Sequence, residues 1–348
     1  MNKLVIASLF GVVGYIVLIN VLKYIHAVFC YDPQPETKPF RLNPQYFGSS
    51  YETIHVKTSD GKQLEGWWIP YTKNEPLMVY CHGNAGNLES RAFKLATINQ
   101  QLHLNILAFD YRGYGHSENE FPTHDGIRAD VNAAVDLAQE FVNQGKASEL
   151  WIYGHSLGGA IAVDYVRQHP DKATTLILEN SPMSLRAMAA IIAPKIIHPA
   201  IDYIFDNVWN SRENITHIRT KTVFIRGMCD GLVPSFHSQL LYKLSAAKKK
   251  LLISLPRGLH NTDWDEEGKI VVRKIRKWLE NEEYEGDSEA DEEESSELSC
   301  QKTDSKQKVI VTEQIQNIQN IEINEPKQAK MITEESNVAM RRKNGFGI

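Results

Sequence analysis

An α/β domain with a mostly parallel sheet is the fold class this sequence predicts, and three observations predict it. Short β-rich runs recur along residues 53–255. From the third run onward, most are separated by stretches with helical periodicity. The first two runs stand together with no helix between them. Strands that alternate with helices need crossover connections, and these lay helices on both faces of a parallel sheet.

Taken in order, the strands are expected at 53–58, 64–71, 77–81, 105–110, 150–153, 175–179, 222–226 and 251–255, which makes an eight-stranded sheet. Each is short, rich in branched and aromatic residues, and bounded by turn formers. The first two read as a hairpin. Helical periodicity marks 88–100, 125–143, 157–168 and 235–248. A closing helix from 266 to about 283 puts Ile270, Val271, Ile275, Trp278 and Leu279 on one face. The interval between the sixth and seventh strands breaks this rhythm. Its segments 188–194 and 196–201 are too apolar for a plain loop. They predict a small helical cap, about 183–217, over the strand ends where α/β sheets bind ligands. The alternative is an ordinary crossover helix with an irregular lead-in.

The two ends of the chain read differently from the middle. Residues 4–22 form an uncharged run bracketed by Lys3 and Lys23, and as a helix it would span about 28 Å, enough to cross a hydrocarbon core. A cleaved signal peptide would have a shorter apolar region and a small-x-small cleavage site, so the run predicts an uncleaved anchor. The expected organisation is an anchor over 1–25, a Pro-rich linker over 26–49, the α/β domain over 50–284, and an acidic, Gln- and Asn-rich tail over 285–348. Nothing periodic and apolar in the tail supports a core, so it is expected to be disordered and available to a protein partner. Lys23, Lys38 and Arg41 favour a cytosolic α/β domain, whereas the sequon Asn214-Ile-Thr216 favours a lumenal one.

Composition excludes several function classes. The formal net charge is −5, but residues 282–297 hold ten acidic and no basic side chains. No basic cluster interleaved with aromatics accompanies them, so nucleic-acid binding has no support. Cys30, Cys81, Cys229 and Cys300 lack paired spacing, which predicts neither a disulfide framework nor a zinc site, and thiols that stay reduced. No metal-binding, phosphate-loop or dinucleotide pattern is present, so no cofactor is implied.

The chemistry centres on Gly154-His-Ser-Leu-Gly158, between the fifth strand and the helix after it. Gly154 and Gly158 let the backbone close tightly around Ser156 and project its hydroxyl at the positive end of the helix. A serine hydroxyl needs a base, and the base needs a carboxylate to orient it. His260, in the loop after the last strand, fits the base best; His155 reads as packing beside the turn, and His82, His169, His198 and His217 as structural. Asp230, beyond the seventh strand, lies on the same rim as the serine and is the candidate acid. Glu179 at the end of the sixth strand is its rival, while Asp263 is too near His260 in sequence to orient it. Oxyanion donors are expected from the N–H of Leu157 and, in the loop His82-Gly-Asn-Ala-Gly-Asn87, the N–H of Asn84.

Together with Asp110-Tyr-Arg-Gly-Tyr-Gly115, Asp230-Gly-Leu-Val-Pro234 and His260-Asn-Thr-Asp263, these blocks resemble the α/β-hydrolase superfamily over roughly residues 50–280. They are most similar to its membrane-anchored branch, the alpha/beta hydrolase domain-containing protein 13-like serine hydrolases. The resemblance implies an α/β-hydrolase fold with Ser156, Asp230 and His260 as the charge-relay residues. It also implies cleavage of an ester or thioester through an acyl-enzyme. With the anchor over 4–22 and an apolar cap, the expected substrate is a lipid or another acyl ester. A second reading is a catalytically idle hydrolase fold that serves as a membrane scaffold through its acidic tail.

Overall fold

The computed structural model describes residues 13–14, 27–28, 30–192, 208–262, 264, 268–281 and 284. All of them fall in the first of two units, Met1–Cys300 and Gln301–Ile348. The expected anchor over 4–22, apart from residues 13 and 14, lies outside the described residues, as does the tail over 285–348. Among the described residues, no helix is long and apolar enough to cross a membrane.

Eight strands form one sheet: β1 (Glu52–Lys57), β2 (Gln63–Ile69), β3 (Leu77–Cys81), β4 (Asn105–Phe109), β5 (Leu150–His155), β6 (Thr175–Glu179), β7 (Lys221–Gly227) and β8 (Lys250–Leu255). Their order is β1-β2-β4-β3-β5-β6-β7-β8. The β1–β2 hairpin, paired from Glu52 with Trp68 to Lys57 with Gln63, joins β4 antiparallel, and every pair beyond that is parallel. Strands β3 to β6 are buried along their whole length, whereas edge strand β1 is mostly exposed. Burial on both faces is why the central strands are continuous apolar runs.

Period-two alternation divides these runs between two layers. Met78, Tyr80, Ile106, Trp151, Tyr153, Ile177, Val223 and Ile253 share one core with helices α1 (Ala92–Leu102) and α6 (Gly268–Glu280), to which α6 contributes Val271, Ile275 and Trp278. The other layer holds α2 (His124–Asn143), α3 (Leu157–Gln168) and α5 (Phe236–Leu244) against β3, β5 and β7. Thr123 caps α2 by accepting from the Gly126 N–H at 3.0 Å.

Three helices differ from expectation, among them α6, which ends at Glu280 and not near 283. The stretch from Leu88 starts as a 3₁₀ turn, Leu88–Arg91, before α1. Helix α5 stops at Leu244 and not at 248, because Ser245 turns extended and the Lys250 ammonium, from β8, takes up the carbonyls of Tyr242 (2.8 Å) and Ser245 (3.1 Å). In the expected cap, α4 (Leu185–Ile192) and the short helix Ser211–Asn214 are present, and 193–207 lie outside the described residues. The Arg212 N–H donates to the Met183 carbonyl at 2.7 Å, so the two arms of this excursion are tied at their base. Of the described cysteines, Cys30 and Cys81 are free and buried.

Three buried imidazoles shape the response to acid. Burial pushes His82 and His237 down to about 3 and holds His155 well below its ordinary range. Burial also pushes the Asp110 carboxyl up to about 8. Between about pH 4 and 6.5 the unfolded chain therefore takes up three histidine protons that the native chain refuses, and the native chain keeps one extra on Asp110. The balance favours proton uptake by the unfolded state, so stability falls on acidification. Above about pH 6.5 only Asp110 remains of these four, and stability declines slightly as pH rises toward 8. Calorimetry should accordingly show the melting temperature highest near pH 6.5 and clearly lower at pH 5. A flat profile between pH 5 and 7 would contradict the neutral buried histidines.

Candidate active site

Ser156 stands between β5 and α3 with φ 53° and ψ −123°, a conformation L-residues rarely adopt. Its neighbours hold it there. A Cβ on Gly158 would come within 2.1 Å of the Cys81 carbonyl oxygen, and one on Gly154 within 2.4 Å of the Gly158 carbonyl oxygen. The Ser156 N–H donates to the Glu179 carbonyl at 2.9 Å, fastening the turn to β6.

The carboxyl ends of β7 and β8 supply the partners. His260 lies with Nε2 at 3.0 Å from Ser156 Oγ and Nδ1 at 2.8 Å from Asp230 Oδ2. Asp230 Oδ1 accepts from the N–H groups of Leu232 (2.8 Å) and Val233 (2.9 Å). The carboxylate is thus oriented by its own loop and presents its second oxygen to the imidazole. That oxygen selects the tautomer with the proton on Nδ1, which leaves Nε2 to accept from the serine. Three residues far apart in sequence form a chain along which a proton can leave Ser156.

The other candidates fall elsewhere. Glu179 is 1 % exposed and engaged by the Lys94 ammonium at 3.0 and 3.1 Å, the Trp264 indole N–H at 3.2 Å and the Tyr153 hydroxyl. Cys81 is fully buried, and burial pushes its thiol up to about 12, far from a thiolate. His82 donates from Nδ1 to the Gly83 carbonyl at 2.7 Å, and His169 bonds the Tyr165 carbonyl at 3.1 Å. His217 ends the 3₁₀ turn Ile215–His217; His198 and Asp263 lie outside the described residues. Leu157 opens α3, so its N–H points from the helix start, and Asn84 sits in the loop after β3. That loop lies against Ser156: a Cβ on Gly83 would be 3.3 Å from Ser156 Cβ. Among the described residues, no group of three or more His, Cys, Asp or Glu side chains is placed to hold a metal.

Two positioning residues escape a reading of the sequence. The His260 carbonyl accepts from His155 Nε2 at 2.8 Å and from Asn180 Nδ2 at 3.0 Å, and Asn180 Nδ2 also reaches the Leu259 carbonyl at 3.1 Å. Asn180 Oδ1 accepts from the Gly227 N–H at 2.8 Å. Asn180 therefore ties the ends of β6 and β7 to the histidine loop, and His155 ties the serine turn to it. The available signal was an Asn directly after a strand, a residue that tolerates the left-handed conformation, and Asn180 has φ 47°.

Fold and site together define a hydrolase class. The chain belongs to the α/β-hydrolase superfamily: the family model described as the alpha/beta hydrolase fold matches residues 76–208. Among its relatives is the alpha/beta hydrolase domain-containing protein WAV2 of Arabidopsis thaliana, 29 % identical and covering 70 % of this chain and 83 % of the relative. Protein bem46 of Schizosaccharomyces pombe is 30 % identical over 63 % of this chain and 73 % of its own. A relative from Saccharomyces cerevisiae, named an uncharacterized membrane protein, is 28 % identical over 63 % and 76 %. Among solved structures, an esterase from Pyrococcus furiosus superposes with a TM-score of 0.58 at 18 % identity, covering 72 % of this chain and 97 % of the esterase, a likeness of fold.

Proposed function

We propose that this chain is a membrane-anchored serine hydrolase that cleaves ester or thioester bonds of lipid or acylated substrates. The observation that carries the reading is the Ser156–His260–Asp230 chain, at 3.0 and 2.8 Å, on one rim of the sheet. In this reading His260 Nε2 takes the Ser156 proton as Oγ attacks the acyl carbon. The N–H groups of Leu157 and Asn84 stabilise the oxyanion, and Asp230 stabilises the imidazolium. His260 then passes the proton to the leaving alcohol or thiol. A water deprotonated by the same imidazole releases the acid from the acyl-enzyme.

The substrate class rests on two further features. Leu232 and Leu259, on the loops that carry the acid and the base, are 50 % and 55 % exposed, which gives the rim an apolar surface suited to an acyl chain. The uncharged run over 4–22 supports anchoring, as does a relative named a membrane protein. Tethering would raise the concentration of bilayer-resident substrate at the site.

The test is covalent labelling. Full-length protein in detergent, treated with a fluorophosphonate, should gain one adduct on the peptide bearing Ser156 and lose turnover of p-nitrophenyl esters in proportion. An unlabelled, folded protein would reject the proposal and favour the idle scaffold.

A further inference from the structure

Residues 31–36 lie along the site loops and bind them through the backbone. The Asp32 N–H is shared between Asn84 Oδ1 at 2.9 Å and the Tyr114 hydroxyl at 3.1 Å, and that hydroxyl donates to the same Asn84 oxygen at 2.9 Å. Next along the chain, the Gly115 N–H donates to the Gln34 carbonyl at 3.0 Å and the Glu36 N–H to the Gly115 carbonyl at 2.7 Å, so Pro35 forms a parallel bridge with Gly115. Tyr31, 4 % exposed, secures the other end. Its hydroxyl accepts from the Trp209 indole N–H at 2.9 Å and donates to His124 Nδ1 at 2.6 Å.

The consequence falls on Asn84. A carboxamide oxygen has two acceptor sites, and here one is filled from residue 32 and the other by Tyr114. With its side chain held on both sites, the residue cannot rotate about its own backbone without breaking two hydrogen bonds. The Asn84 N–H meets no acceptor among the described residues. It belongs to the residue after Gly83, whose α-carbon faces Ser156. Other restraints on the loop, from His82 to the Gly83 carbonyl and from Arg91 to the Ala85 carbonyl at 2.7 Å, act on its neighbours and leave Asn84 to this clamp.

We propose that residues 31–36 form a strap that positions the Asn84 N–H for oxyanion stabilisation. The Asp32 backbone N–H is the positioning group and Tyr114 the relay; the proposal rests on the reading of Ser156 as nucleophile. A displaced oxyanion donor weakens binding of the transition state while leaving the ground-state ester almost untouched. Losses should therefore appear in kcat and not in KM.

Three variants of the full-length protein test this with a soluble ester and a trifluoromethyl ketone, which forms an oxyanion adduct on serine. Asp32→Pro removes the N–H. Asp32→Ala keeps it and removes only the carboxylate, which otherwise accepts from Gln34 Nε2 at 3.1 Å. Tyr114→Phe removes the relay hydroxyl. Asp32→Pro and Tyr114→Phe should lower kcat by about 10- to 100-fold, leave KM within about twofold, and weaken the ketone by a factor similar to the loss in kcat. Asp32→Ala keeps the N–H and should lose much less in kcat and ketone affinity than Asp32→Pro. Thermal unfolding of each variant separates these effects from loss of fold, and Tyr114→Phe decides alone if the proline variant does not fold. Unchanged kcat and ketone affinity in folded Tyr114→Phe would overturn the strap, as would equal losses in Asp32→Ala and Asp32→Pro. Failure of the nucleophile reading would instead show in the unmodified protein, as no fluorophosphonate adduct on Ser156.

Discussion

Ser156→Ala should lower ester hydrolysis by on the order of 10⁶-fold, the size of effect seen when a triad serine is removed, and should abolish fluorophosphonate labelling. The fold should survive. Among the described residues the hydroxyl bonds only His260 Nε2, and the turn around it is held by backbone contacts of Gly154 and Gly158 that the substitution leaves in place. The melting temperature should stay within about 2 °C of the parent. Unchanged turnover of p-nitrophenyl esters by pure, folded Ser156→Ala would remove Ser156 from the mechanism.

The second large effect separates the two candidate acids, and each should fail in its own way. Asp230→Asn keeps the shape of the side chain but replaces the oxygen facing His260 Nδ1, so the imidazole is offered the wrong partner and the wrong tautomer. The rate should fall on the order of 10⁴-fold with little loss of stability. Glu179→Gln should do the reverse. It leaves the Lys94 ammonium, 4 % exposed, in a buried site with no carboxylate partner among the described residues. Removing one partner of a buried pair costs about 3–5 kcal/mol, and because Glu179 bonds Lys94, Tyr153 and Trp264 and not His260, kcat per folded molecule should change by less than about tenfold. Rate measurements paired with denaturant unfolding separate the outcomes. A larger rate loss in Glu179→Gln than in Asp230→Asn would move the orienting acid to β6.

The fold was legible because its signals are local. All eight strands start and end within two residues of where composition and turn formers place them, since a strand buried on both faces must be an apolar run and a connecting turn must be polar. Helix ends were less legible. The end of α5 depends on Lys250, which comes from β8 and reaches back to cap it. The Pro-rich stretch shows the same limit. Proline excludes a regular helix there, and composition suggests a linker. Only the folded chain reveals that Tyr31 is buried against His124 and Trp209 and that Asp32 meets Asn84.

By itself, the sequence determined the serine turn, the order Ser156, Asp230, His260, and the ends of the strands from which they project. These depend on backbone sterics within a few residues: two glycines around a serine, and loops that begin where apolar runs stop. The tertiary structure decided which carboxylate faces the imidazole. Asp230 and Glu179 both follow strand ends, and nothing local distinguishes them. Pairing β7 with β8 brings Asp230 beside the His260 loop, while α1 delivers Lys94 to Glu179 and occupies it. It also assigned His155 and Asn180 to the His260 carbonyl and residue 32 to Asn84. Contacts between residues 30 to 105 positions apart in sequence exist only after the sheet has assembled, and no pattern within a single segment encodes them.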